Sequence, residues 1–123
     1  MGLYPDPQVF EALLSDRSHC KQRILDSLHG LGSLAHDFPR NAAQMEMEQT
    51  LNFALQKHLA KGTSALLSLQ LEDFLEMEQP VNVPGTSDEY RNWQRKLSQN
   101  IEQLFANPQI KKLLADLTQA RSR

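Results

Sequence analysis

Apolar positions recur at helical spacing along most of the chain. Asp6-Pro7 opens the first stretch, because Asp can cap free N–H groups and Pro is tolerated at the first helical position. Val9, Phe10, Leu13 and Leu14 then share a face. Ser15-Asp16 offers a second start, and Ile24, Leu25, Leu28 and Leu31 give a second stripe that Gly30 and Gly32 can end. Residues 33–44 carry Pro39 and no clear period, and read as a connection. Met47, Leu51, Leu55 and Leu59 are spaced by four, and Gly62 stops that helix. The period then changes to two. Over residues 64–71, Leu67, Leu69 and Leu71 point one way and Leu66, Ser68 and Gln70 the other, the pattern of a strand. A short helical turn is expected at 72–77. Residues 80–87 hold two prolines and a Pro-Gly turn signal, and must be loop. Thr86 and Glu89 have capping-box spacing, so a helical turn is expected to begin near Ser87. Ser98 is expected to cap a helix containing Ile101, Leu104 and Phe105. Asn107-Pro108 opens the last helix, with Ile110, Leu113, Leu114 and Leu117 as its stripe and Arg121-Ser122-Arg123 as a frayed tail.

This order predicts one segment spanning residues 1–123: helices over 7–62, a strand at 64–71, a substrate-facing loop at 72–87 and terminal helices over 88–121. A helical region, a strand, a loop and closing helices form the last unit of a repeating β/α pattern. The expected fold class is α/β, the C-terminal portion of a (β/α)8 TIM barrel, mostly helical, with one barrel strand. In such barrels the loops after the C-terminal ends of strands build the active site. A lone strand cannot satisfy its own backbone groups, so the chain is expected to be one end of a larger protein.

Composition narrows the classes. The chain has 123 residues, 13 Lys and Arg against 15 Asp and Glu, and a formal net charge of −2. That balance gives no reason to expect nucleic acid or an anionic membrane as partner. Cys20 is the single cysteine, which rules out an internal disulfide framework and suits a reducing compartment; the expected setting is the cytoplasm. The apolar runs are too short to span a bilayer, and residues 1–6 lack the basic and apolar regions of a signal peptide.

Two stretches carry distinctive chemistry. Val81-Asn82-Val83-Pro84-Gly85-Thr86 is followed by Asn92-Trp93-Gln94-Arg95-Lys96-Leu97. Together with Ser68-Leu69-Gln70-Leu71-Glu72-Asp73-Phe74-Leu75 they resemble the bacterial 4-α-glucanotransferases, or amylomaltases, near their C-terminal end. Gly2-Leu3-Tyr4-Pro5-Asp6 is similar to the family just downstream of its third catalytic carboxylate. The likeness covers essentially the whole chain, and the Asn-x-Pro-Gly-Thr and Asn-Trp pair is its specific part. One departure is Gln94, where the family often has Arg. The resemblance implies a retaining transglycosidase that passes glucanyl units between malto-oligosaccharides through a covalent glycosyl-enzyme intermediate. It implies that the catalytic carboxylates lie upstream, so none is assigned in this chain. It implies no separate cofactor, and two partners: a malto-oligosaccharide and the remainder of the barrel; no metal is expected, because the residues supply no convergent set of ligands. The site residues it suggests are Asn82, which offers a donor and an acceptor to paired sugar hydroxyls, with Pro84 and Gly85 shaping its loop. From spacing alone, Asn82 reads as a turn former.

Blander readings govern the remaining polar groups. Glu72-Asp73 reads as helix-start charge and Asp88-Glu89 as part of the capping box. His19, His29, His36 and His58 are scattered, and a zinc site needs three or four convergent ligands. Cys20 and His19 are helix neighbours that do not face each other. Trp93 reads as a packing anchor for the terminal helices, with stacking on a sugar ring as the alternative. Arg95-Lys96 reads as a solvated face. A different class of function also fits: a stand-alone helical interaction module whose apolar stripes pair with partner helices.

Overall fold

The computed structural model describes residues 6–122, so residues 2–5 of the resemblance lie outside the described residues, as does Arg123. The chain divides into two compact units, residues 1–58 and 59–123.

In the first unit, α1 runs over Pro7–Gly30. The Asp6 side chain accepts from Gln8 N–H at 2.9 Å, the N-cap expected from Asp6-Pro7. Ser15-Asp16 does not restart the helix. Neither residue breaks a helix, so the turn continues through them; Ser18 then donates its hydroxyl back to the Leu14 carbonyl at 2.9 Å. Gly32 closes the helix in a Schellman motif. Its φ is +63°, its N–H donates to His29 O at 3.0 Å, and Ser33 N–H donates to Leu28 O at 2.9 Å. Leu25 and Leu28 are buried with Leu34 and Ala54, and Phe38, Ala42, Met45, Leu51 and Leu55 pack against them.

A polar strap holds the connection to α1. Gln22 Nε2 donates to Arg40 O at 2.8 Å, and Gln22 Oε1 accepts from Ala42 N–H at 3.0 Å. A 3₁₀ turn, Ala42–Gln44, follows, capped by Asn41. The next helix, α2, spans Gln49–Ala60. Its buried residues are Ala54, Gln56 and Ala60, while Met47 and Leu59, the ends of the expected stripe, are exposed. Near the start of α1, Val9, Phe10, Leu13 and Leu14 are 45–48% exposed.

In the second unit the strand expected at 64–71 is absent. The described residues contain no strand or sheet, so the α/β barrel expectation is overturned and the structure is helical. The reason is the missing partner: a strand is stable only when a neighbour takes its backbone groups. Here the carbonyls of Ser64 and Ala65 accept instead from Arg121 Nη2, at 2.8 and 2.9 Å. The alternation itself survives. Leu67, Leu69 and Leu71 are half-buried, and Leu66, Ser68 and Gln70 are exposed.

Helix α3, Leu71–Phe74, occupies the expected turn and buries Phe74. It also ends in a Schellman motif, with Glu76 at φ +53° in the left-handed place usually held by glycine and Met77 N–H donating to Glu72 O at 3.0 Å. Residues 88–93 form turns rather than the expected helix. Helix α4, Ile101–Ala106, is capped by Asn100 rather than Ser98, because Asn100 and Gln103 complete a reciprocal capping box. It packs on α5, Pro108–Arg121. Leu104, Ile110, Leu113 and Leu117 are buried. The expected fraying is not seen at Arg121 or Ser122: α5 continues to Arg121, whose side chain is hydrogen-bonded, and Ser122 caps the helix.

Candidate functional site

The loop over residues 80–93 is built from the turn outward. Pro84 has its φ fixed by its ring, and Gly85 supplies a φ of +79°. Thr86 N–H closes the turn onto Val83 O at 3.2 Å. Pro followed by Gly at positive φ is the signature of a type II turn. The Thr86 hydroxyl donates to the same Val83 carbonyl at 2.7 Å.

Asn92 locks this turn from outside. Its Oδ1 accepts from Val83 N–H at 2.7 Å. Its Nδ2 donates to Thr86 O at 3.1 Å and to Thr86 Oγ1 at 3.0 Å. One side chain thus satisfies three polar groups of a loop that has no ladder of its own. The adjacent Trp93 N–H donates to Val81 O at 2.8 Å, and the Tyr90 hydroxyl donates to Pro80 O.

Asn82 stands apart from this network. It is half-buried between Val81 and Val83, and among the described residues its side chain makes no hydrogen bond. Pro84-Gly85 forms the turn and Asn92 braces it, while the amide of Asn82 has its donor and acceptor unspent. Pro84 and Gly85 are exposed at the tip of the turn. Asn92 is marked in the sequence only as part of the Asn-Trp pair; its bracing role is not, because its partners lie six and nine residues back.

Trp93 is not the packing anchor expected of it: it is 73% exposed, with φ at +61°. Arg95, read as a solvated residue, is half-buried. Its Nη2 lies 3.7 Å from Glu72 Oε1, and its Nη1 is buried with no partner. That ion pair engages Glu72 as a structural charge.

Glu89 accepts from Ser87 N–H at 2.9 Å, and this bond, ahead of one from its own backbone, holds its carboxyl below the ordinary value. A general acid needs the opposite shift. The Thr86–Glu89 capping box does not form, since Thr86 turns to Val83 and Glu89 to Ser87.

The other candidates remain dispersed. His29 Nε2 lies 3.1 Å from Pro39 O, and its ring is tilted against Phe38. Cys20 is exposed with a free thiol. Among the described residues no group of three or more His, Cys, Asp or Glu could hold a metal ion, and no helix is long and apolar enough to cross a membrane. In the first unit an apolar cavity of about 180 Å³ is lined by Ile24, Leu25, Met45, Leu51 and Leu55, with Lys21. Arg17 and Glu46 also line it.

Comparison with known proteins bears on the whole of this segment. A family model described as 4-alpha-glucanotransferase matches residues 8–102, a span that includes the loop. A 4-alpha-glucanotransferase of Haemophilus influenzae is 34% identical over 115 residues, 94% of this chain. The match covers 16% of that enzyme's length.

Proposed function

The chain belongs to the 4-alpha-glucanotransferase family, and from that premise we propose that it is part of an enzyme that moves α-1,4-glucanyl units between malto-oligosaccharides by a retaining double displacement. Such chemistry needs one carboxylate as nucleophile and one carboxyl as acid/base across the scissile bond. In this reading neither belongs to this chain. Glu72 is engaged by Arg95, and the carboxyl of Glu89 is shifted the wrong way for an acid.

The role proposed for the chain is substrate binding. The observation that carries it is the division of labour between two asparagines: Asn92 fixes the loop, and Asn82 keeps a free amide on it. Pro84 and Gly85 contribute by shaping the turn. A glucosyl unit offers adjacent hydroxyls, each a donor and an acceptor, and a carboxamide matches such a pair. The remainder of the enzyme is the partner we propose for this chain, since the chain spans 16% of its relative's length. A reducing cytoplasm suits the exposed thiol of Cys20.

Two measurements test this. The purified chain is incubated with maltotriose, and no glucose or longer glucan is expected; clear conversion would place a nucleophile here and overturn the division of roles. Calorimetry with maltoheptaose should detect binding that weakens about tenfold in Asn82→Ala. Equal affinity in the variant removes Asn82 from the site.

A further inference from the structure

Trp93 presents an exposed indole from a fixed backbone. Several large apolar residues are exposed, and Leu66, at 89%, is more so. Trp93 differs from them in how it is held. Its φ of +61° is an outlier for a bulky aromatic. Such a conformation persists only where the surroundings dictate it, and it concentrates at ligand clamps. Trp93 N–H is tied to Val81 O at 2.8 Å, and the preceding Asn92 is tied to Val83 and Thr86 by three bonds. The backbone is therefore over-determined while the side chain is left in solvent.

Val81 O belongs to the peptide that joins Val81 to Asn82. The side chains of Asn82 and Trp93 thus both leave the backbone within one residue of the same hydrogen bond. An aromatic face with a negative quadrupole and a free carboxamide are rooted side by side. A pyranose ring has the complementary form: a face of weakly positive C–H groups and a rim of hydroxyls. We propose that Trp93 is a substrate contact, a platform on which a glucosyl ring stacks while Asn82 takes its hydroxyls. This rests on the reading of Asn82 as a sugar ligand and adds a second, independent contact to it.

The chain carries one tryptophan, so its fluorescence reports on this residue alone. The probe is maltoheptaose, titrated into the full chain with calorimetry in parallel. The expected result is a blue shift of the emission and roughly twofold weaker quenching by acrylamide at saturation. Trp93→Phe, which keeps an aromatic face, should bind within about threefold of the parent, and Trp93→Leu should bind about tenfold more weakly. Suppose calorimetry shows binding that Asn82→Ala weakens, while the emission does not move and Trp93→Leu binds as the parent does. The platform is then overturned and the Asn82 reading stands. Absence of any binding heat or emission change overturns both. Circular dichroism checks that each variant folds; if Trp93→Leu does not, the emission and quenching of the unaltered chain decide.

Discussion

Leu28 in the first unit and Asn92 in the second both hold their surroundings in place, by opposite means. Leu28 is 1% exposed and sits among Leu25, Leu34 and Ala54, where non-directional burial stabilises the site. Asn92 is half-buried, and its three bonds are directional, each aimed at a named backbone or hydroxyl group. Burial tolerates many sequences of similar volume. A directional lock accepts one side-chain shape and permits a loop without helix or sheet to keep a defined form. Within the loop, the Asn92 side chain makes three such bonds beside the backbone bonds of the turn, and the Asn82 side chain makes none.

The largest expected effect is on the apolar side. Leu28→Ala should lower the stability of the first unit by about 2–5 kcal/mol, from lost transfer energy and a residual cavity. Chemical denaturation followed by circular dichroism measures this. The emission of Trp93 in the folded state should stay as it is. A change in Trp93 emission at native conditions would break the contrast, because the loop would then depend on the helical cluster.

The converse change is Asn92→Ala. It leaves Val83 N–H and the Thr86 carbonyl without their side-chain partner, at a cost of about 1–2 kcal/mol to the local closed state. Amide exchange at Val83 and Thr86 should quicken roughly 5- to 30-fold, with the helical signal unaltered. Asn92→Asp keeps the acceptor for Val83 N–H but loses the two donated bonds, so it should fall between. Exchange unchanged in Asn92→Ala would mean that the Pro84-Gly85 turn holds the loop unaided.

These two regions also differed in how far they could be read from the sequence. The helices were legible wherever a cap and a period agreed, as at Asp6-Pro7 and Asn107-Pro108. The turn at Val83–Thr86 was legible from Pro84-Gly85. Misreadings came where a residue could serve two states. Ser15-Asp16 can start a helix but can also sit inside one, and Ser98 is a fair cap that loses to Asn100 because only Asn100 has Gln103 to reciprocate. The alternation at residues 64–71 survives as a burial pattern, yet it makes no strand without a neighbour. Asn92 stood out as half of the Asn-Trp pair, but its bracing role did not, since its partners were fixed only by the folded loop. Asn82 stood out in the sequence, but whether its amide was spent depends on the folded loop, where Pro84-Gly85 forms the turn and Asn92 braces it.

A matched pair of glycines sharpens the comparison at lower energy. Gly32 and Gly85 both adopt positive φ, and a Cβ at either meets no atom within 4 Å. Alanine should therefore cost about 1 kcal/mol at each, as backbone strain alone. The readouts should diverge. Gly32→Ala loosens the end of α1 and should lower the unfolding midpoint. Gly85→Ala should leave the midpoint nearly constant and speed exchange at Thr86. Equal midpoint losses would show that the loop and helices unfold as one.

The smallest effect is electrostatic and belongs to the loop. Glu89 is fully exposed, and its carboxylate accepts from Ser87 N–H, which holds its pKa below the ordinary value of 4.5. A carboxyl depressed in the folded state contributes its stability above the unfolded value and loses it as pH falls through the folded one. The Ser87–Glu89 contact should therefore be intact above pH 4.5 and fade below it. Solvent screening keeps the gain small, so the midpoint of unfolding is a poor probe and the contact itself must be followed. NMR titration of the Glu89 side chain should give a midpoint below 4.5, with the Ser87 amide shifting in step, and Glu89→Gln should abolish that step. A midpoint at or above 4.5 would mean that the bond to Ser87 is not kept in solution. The acid-sensitive element would then be absent, and the polar locking of the loop would rest on Asn92, whose amide does not titrate.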